Sequence, residues 1–166
     1  MNIIVISDTH MPRRASKLPG ILMEELKGAD LILHAGDWQT PEVWKELRGY
    51  AEVKGVWGNV DGPEMKELVS EKLLLMIEGV RIGVVHGHGK KGTTEKRALH
   101  AFENEEVDCI IFGHSHIPMK REEGGILLFN PGSPTDKRRQ ALYSFGRLTV
   151  SSGNVQAEHI FFNDKS

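Results

Sequence analysis

Residues 2–7, opening Asn2-Ile3-Ile4-Val5-Ile6, form an apolar, β-branched run that ends in the polar cluster Ser7-Asp8-Thr9-His10. A short run that is apolar at consecutive positions fits a strand buried on both faces. Residues 30–34 (Asp30 to His34) and 52–57 (Glu52 to Trp57) repeat the form. Between the first two runs, Leu18, Ile21, Leu22 and Leu26 recur at helical spacing, and Val43, Trp44 and Leu47 do the same in a second helix. Thr40-Pro41-Glu42 is suited to start that second helix, with a capping hydroxyl, a proline whose missing N–H costs nothing there, and an acid facing the helix dipole. The first third therefore predicts strand, helix, strand, helix, strand, the order that builds a parallel sheet.

Farther along, residues 73–77 and 80–85 predict two strands joined by a hairpin turn at Glu78-Gly79. A helix is predicted over 94–105 with Ala98, Leu99 and Phe102 facing inward, followed by a buried strand at 108–112. Four more strands close the chain at 126–129, 141–145, 148–152 and 155–162, with turns at Gly146 and Gly153-Asn154. An α/β front and a mostly antiparallel back are reconciled by two sheets packed face to face with helices outside. No fixed-period repeat, low-complexity tract or linker interrupts the pattern, so residues 1–166 are expected to form one domain.

Composition narrows this picture without redirecting it. The 166 residues carry 21 Lys+Arg against 23 Asp+Glu, a formal net charge of −2. No basic excess advertises a stable nucleic-acid complex or an anionic membrane surface, and neither partner is expected. The single Cys109 excludes an internal disulfide and a multi-cysteine zinc site, and fits a reducing compartment. The N-terminal apolar run is too short for a signal-peptide core, and no stretch approaches the ~20 apolar residues of a membrane helix. The expected location is the cytoplasm. The eight histidines are the one unusual count.

Their placement gives them meaning. Five polar clusters each begin where a predicted strand stops: Asp8-Thr9-His10, Gly36-Asp37, Gly58-Asn59-Val60-Asp61, His86-Gly87-His88 and Gly113-His114-Ser115-His116. Strands that run in parallel deliver their carboxyl ends to one edge, where binding crevices form. Imidazoles and carboxylates gathered there suit divalent ions such as Mn²⁺, Fe²⁺, Zn²⁺ or Ni²⁺. The donors are too many for one tetrahedral ion and about right for two. Asp37 is the natural bridge, because one carboxylate can hold two cations. His34 is expected to be a buried partner behind the site, and His100 and His159 to be structural.

Together the clusters resemble the motif set of the calcineurin-like metallophosphoesterases, here in the length range of the small bacterial and archaeal phosphodiesterases. The matching segments are those five, and Asn130-Pro131-Gly132-Ser133 resembles the loop that follows the last ligand pair. The resemblance implies a four-layer fold of two stacked mixed β-sheets flanked by helices. It implies two divalent metal ions, Mn²⁺ first with Ni²⁺, Fe²⁺ or Zn²⁺ as alternatives. Asp8, His10 and His116 would hold one with the bridging Asp37; Asn59, His86 and His114 would hold the other with the same Asp37. Asp61 would orient a ligand or loop; His88 is read either as a loop residue behind the ligands or as a contact to substrate or leaving group. With Asp37, Asn59 and His88 as the catalytic set, a metal-bridging hydroxide would attack a phosphodiester or phosphate ester in line. Two ions and two aspartates leave the site positive although the chain is negative overall.

One departure bears on the substrate. Many relatives place histidine where this chain has Val60, and valine supplies no proton to a leaving oxygen. General acid help is worth ~10²–10⁴-fold, so diesters or esters with acidic leaving groups are expected, unless His88 substitutes. Arg13, Arg14, Lys90, Lys91, Lys137, Arg138 and Arg139 flank the motif loops, and Arg138 is the one expected to reach substrate. The competing expectation is a protein-interaction scaffold, because a retromer subunit resembles the same compact fold; retention of all seven candidate ligands favours the enzyme. A homo-oligomer contact is expected, if anywhere, near Trp44 or Phe161-Phe162.

Overall fold

The computed structural model describes residues 1–166. Ten strands form two five-stranded mixed sheets. In the first, β1 (Asn2–Ile6), β2 (Leu31–His34) and β3 (Glu52–Gly55) are parallel neighbours, with α1 (Gly20–Leu26) and α2 (Pro41–Arg48) in the connections. The C-terminal β9 (Tyr143–Ser151) pairs antiparallel with β1, and β10 (Asn154–Phe162) with β9, giving the order β10-β9-β1-β2-β3. The short α3 (Pro63–Leu68) leads to the second sheet: β4 (Lys72–Ile77), β5 (Val80–Val85), α4 (Thr94–Ala101), β6 (Cys109–Ile111), β7 (Met119–Glu123) and β8 (Ile126–Asn130). Its order is β4-β5-β6-β8-β7, parallel through β5, β6 and β8 and antiparallel at both edges.

Strand alternation explains the layers. Ile3 and Val5 face the second sheet and meet Ile82, Val84, Ile111 and Phe129, whereas Ile4 and Ile6 face the opposite way, among Leu22, Leu26, Val43 and Leu47 of α1 and α2. Ala98 and Phe102 at α4 cover Ile110, Phe112 and Leu128 on the outer face of the second sheet. Helices, sheet, sheet and helix make four layers, as the sequence predicts. Cys109 lies in the inter-sheet core, where burial pushes its thiol up to about 12, so it packs as an apolar side chain. No helix is long and apolar enough to cross a membrane.

Several expectations are corrected. Gly146 makes no turn: β9 runs through it without a break from Tyr143 to Ser151. A β-carbon at Gly146 would run into the Phe129 ring across the sheets, so glycine is there to admit the aromatic ring. Gly146→Ala is accordingly expected to lower stability by about 2 kcal/mol through overpacking, read as a drop in the urea midpoint; an unchanged midpoint would show that Phe129 can yield freely. The next turn sits one residue earlier than predicted, at Ser152-Gly153, where both residues have positive φ (45° and 79°) as a tight hairpin turn requires. Helix α4 ends at Ala101 rather than 105, and Leu99 is only half-buried. The Thr40 hydroxyl donates to the Met11 carbonyl instead of capping α2. Neither α3 nor β7 has a pattern strong enough to predict; β7 (Met119-Lys-Arg-Glu-Glu123) is a charged edge strand, which discourages edge-to-edge pairing. Phe162 is buried, leaving Phe161 the exposed member of that pair, at 49%.

Candidate metal centre

All five motif clusters converge beyond the carboxyl ends of β1, β2, β3, β5 and β6. The strands supply stiff delivery; the loops supply the donors. Asp8, His10 and His116 form one group of converging ligand atoms, and Asp37, His86 and His114 a second. Asp37 Oδ2 faces both, 3.1 Å from His86 Nε2 and 3.6 Å from His10 Nε2. Asn59 belongs to the second group, its Oδ1 lying 3.1 Å from His86 Nε2 and 3.2 Å from His114 Nδ1.

Four of the donors, Asp8, Asp37, His86 and His116, have their other polar atom committed elsewhere, which decides what each presents to the site. Asp8 Oδ2 accepts from the Ser7 hydroxyl and the His114 N–H, leaving Oδ1. His86 Nδ1–H donates to the Ala35 carbonyl and His116 Nδ1–H to that of Asp136, leaving both Nε2 atoms. Asp37 Oδ1 accepts from the Val60 N–H, leaving Oδ2. Asp8 Oδ1, His10 Nε2 and His116 Nε2 are buried and have no hydrogen-bond partner in the protein. A buried polar group left unpaired is costly, and three aimed at one point fit a cation. Asp8 Oδ1 stands 3.9 Å from His10 Nε2 and 3.6 Å from His116 Nε2. Atoms each ~2.1 Å from one tetrahedral ion would be ~3.4 Å apart, so the spacing fits with little adjustment.

The electrostatics carry the same demand for positive charge. Burial works against ionising Asp37, but the His86 hydrogen bond and charge, with the Val60 N–H, hold its carboxyl down at about 2. Burial likewise opposes a charged His86, yet Asp37 and Asp8 push its pKa up to about 9. Asp8, fully enclosed and close to Asp37, is raised to about 6. His114 is lowered to about 4 by burial and by the charge on His86, and burial lowers His10 and His116 also. A proton on His86 thus stands where a metal cation would serve both carboxylates better.

Backbone conformation is the feature sequence reasoning missed. Asp8 (φ 57°), His10 (45°), Asp37 (59°), His114 (70°) and His116 (62°) all lie in the left-handed region. Asp, Asn and His are the non-glycine residues that tolerate it best. The loops are held in this shape by side chains behind them. Asp61 accepts four backbone N–H groups, from Asp37 (2.9 Å), Trp38 (3.3 Å), Gln39 (2.8 Å) and Gly58 (2.8 Å), clamping the Gly36-Asp37 loop to the Gly58-Asn59 loop. Burial raises its pKa despite those donors. His34 is fully buried and stacked 3.8 Å from the Trp38 ring; its Nδ1 accepts the Gly36 N–H, so its Nε2–H donates to Thr9 Oγ1. Ser133 and Thr135, after the Asn130-Pro131-Gly132 turn, donate to the carbonyls of Asp8 and Thr9 and fix the first loop. Ser133 closes the Asn130-Pro131-Gly132-Ser133 segment singled out in the sequence, whereas the Thr135 hydroxyl and the Asp136 carbonyl do not announce themselves there.

The remaining predicted residues fall at the rim. His88 is half-buried, its ring 5.5 Å from that of His86 and 5.9 Å from Trp57. Val60 is 46% exposed beside the donors. Arg138, itself at positive φ (49°), lines a cleft of about 340 Å³ with Ser115 and Ile117, and its charge acts on His116. His100 is exposed against Glu103, while His159 stacks on Phe129 and bonds the Asn130 carbonyl; neither is in either donor group.

Two mixed sheets carrying paired aspartate–histidine groups at one edge define the calcineurin-like phosphoesterases, and the chain belongs to that superfamily: its domain description fits residues 1–153. A probable metallophosphoesterase of Methanothermobacter thermautotrophicus is 40% identical over 139 residues, covering 83% of this chain and 80% of that protein. Among solved structures, Vps29 of Entamoeba histolytica complexed with Zn²⁺ is similar at 28% identity and TM-score 0.77, covering 98% of this chain and 100% of that one. An archaeal phosphodiesterase matches the fold at TM-score 0.72 with 21% identity, over 96% and 100% of the two chains. The superfamily uses divalent metals, and this chain has two candidate ligand groups for them.

Proposed function

We propose that this chain is a dinuclear-metal-dependent phosphodiesterase. The observation that carries the reading is Asp37 Oδ2, a single carboxylate oxygen within 3.1 Å of a nitrogen of one donor group and 3.6 Å of a nitrogen of the other. Asp8, His10 and His116 would hold one ion, Asn59, His86 and His114 the other, with Asp37 shared. Bound there, the pair would supply charge for a phosphate oxyanion and acidify water to serve as nucleophile, with Mn²⁺ the first choice and Ni²⁺, Fe²⁺ or Zn²⁺ alternatives. The protein's own part is orientation: Asp61 and His34 hold the loops, Asn59 sets the approach to the second group, and Arg138 reaches the substrate phosphate.

Val60 leaves its edge of the site without a proton donor, and His88, which belongs to neither donor group, stands at the rim with its ring 5.5 Å from that of His86. We assign His88 contact with the leaving oxygen. Over aryl diesters of graded leaving-group pKa, His88→Ala is expected to lose ~10²-fold at the least acidic leaving group and little at the most acidic. Equal losses across the series would remove this assignment.

The overall reading is tested by stripping the protein, reloading it with Mn²⁺ and following bis(p-nitrophenyl) phosphate hydrolysis. Activity that appears with metal and vanishes on chelation supports it. The likeness to Vps29 favours a second reading, a protein-interaction scaffold, which inactivity with both ions demonstrably bound would support.

A further inference from the structure

Beside the metal centre lies a second cleft, of about 530 Å³, walled by Lys90, Lys91, Lys96, Arg97 and His100 and reaching His88. Ligand-binding clefts are commonly of this size. No carboxylate lines it. The segment from Gly87 to Gly92 bows outward through three glycines at positive φ (92°, 153° and 72°). Arg97 of α4 secures that bow: Nε donates to the Gly87 carbonyl, Nη1 to those of Lys91 and Gly92, and Nη2 to Thr94 Oγ1. Its guanidinium is therefore spent on the loop. The three lysines are not spent, since none has a carboxylate within ion-pair distance, unlike Lys27 with Glu24, Lys54 with Glu52 and Lys72 with Glu105. His88 Nδ1 is buried without a hydrogen-bond partner. In a chain of net charge −2, three uncommitted ammonium groups on one rigidly held loop and helix are a local excess with a direction.

From this we infer a second phosphate subsite, so that the preferred substrate is a small phosphodiester bearing a further phosphate group next to the bond that is cleaved. The inference rests on the phosphodiesterase reading for the position of the cleaved bond, but the subsite is defined by the lysines and His88. A phosphate monoester offers several acceptor oxygens and two charges at neutral pH, matching a cluster of point-charge donors. The His88 ring, 5.5 Å from that of His86, joins the cleft to the metal centre, placing the two phosphates on one short molecule.

The test is equilibrium binding by titration calorimetry to the full chain loaded with Mn²⁺, with thymidine 3′,5′-bisphosphate set against thymidine 5′-phosphate. Each exposed charge pair contributes up to about fivefold, so three support an advantage of about tenfold to a hundredfold for the bisphosphate. That advantage is expected to collapse in Lys90→Ala/Lys91→Ala/Lys96→Ala, whose exposed positions leave the melting temperature in place, and to shrink as salt shortens the Debye length. Reversal of one charge, Lys96→Glu, is expected to lower it further than Lys96→Ala. Equal binding of the two nucleotides, or an advantage that survives the triple substitution, overturns the subsite. If no diester is hydrolysed while the lysine-dependent advantage holds, the subsite stands and the catalytic reading fails. If diesters are hydrolysed without the advantage, the subsite alone falls.

Discussion

Asp37→Asn is expected to reduce turnover of bis(p-nitrophenyl) phosphate by about 10³-fold, and to reduce the metal content of the purified protein from two ions per chain toward one. The cause is one atom. Asp37 Oδ2 is the only carboxylate oxygen that faces nitrogens of both donor groups at 3.6 Å or less. An amide there still accepts through one oxygen, but it removes a full negative charge from between two candidate cations and can turn an NH₂ toward them. Electrostatic contributions of this kind amount to several kcal/mol, and about 1.4 kcal/mol is a factor of ten in rate. The fold should survive, because the Asp37 backbone N–H keeps its bond to Asp61. Metal analysis by mass spectrometry beside the kinetics separates the causes: two ions retained with full activity would remove Asp37 from its bridging place.

Asp61→Ala is expected to lose about 3–5 kcal/mol of stability, seen as a melting temperature lower by about 10 °C, together with most of the activity. Four backbone N–H groups from two loops converge on this one buried carboxylate. Removing the acceptor leaves several buried donors unpaired at about 1–3 kcal/mol each, offset in part by water entering the space. Asp61→Asn retains one acceptor oxygen and should fall between alanine and the native residue. If Asp61→Ala melts within 2 °C or so of the native protein, the clamp is not what holds the loops together.

The legible part of this structure is the part governed by short-range pattern. The β1, β2, β5 and β6 runs are apolar because both faces of each sheet are covered, and their abrupt polar endings place the donors. Every residue of the predicted ligand set is found at the converging edge, with Asn59 in bonding distance of two of its histidines. Less legible are features that depend on distant partners. Gly146 looks like a turn in sequence, and only the Phe129 ring from the other sheet shows why it is a strand residue. The charged β7 has no hydrophobic alternation because it is an edge strand that pairs with β8 on one side alone. Thr135 and Asp136 support the site through a hydroxyl and a carbonyl, and such bonds have no signature in composition or spacing, whereas Ser133 lies in a loop the sequence does mark.

The left-handed backbone at Asp8, His10, Asp37, His114 and His116 also bears on how such a chain can change over evolutionary time. A side chain at positive φ costs up to about 1 kcal/mol relative to glycine, less for Asp, Asn and His, so the five together weigh at most about 5 kcal/mol against a net stability usually between about 5 and 15. Drift freed from selection on the donors would run downhill toward glycine or asparagine at these positions, and away from valine, isoleucine and threonine, which the backbone rejects. A descendant that had given up its metals would record the loss in those five letters before the fold changed at all. This chain has kept a donor at each of them.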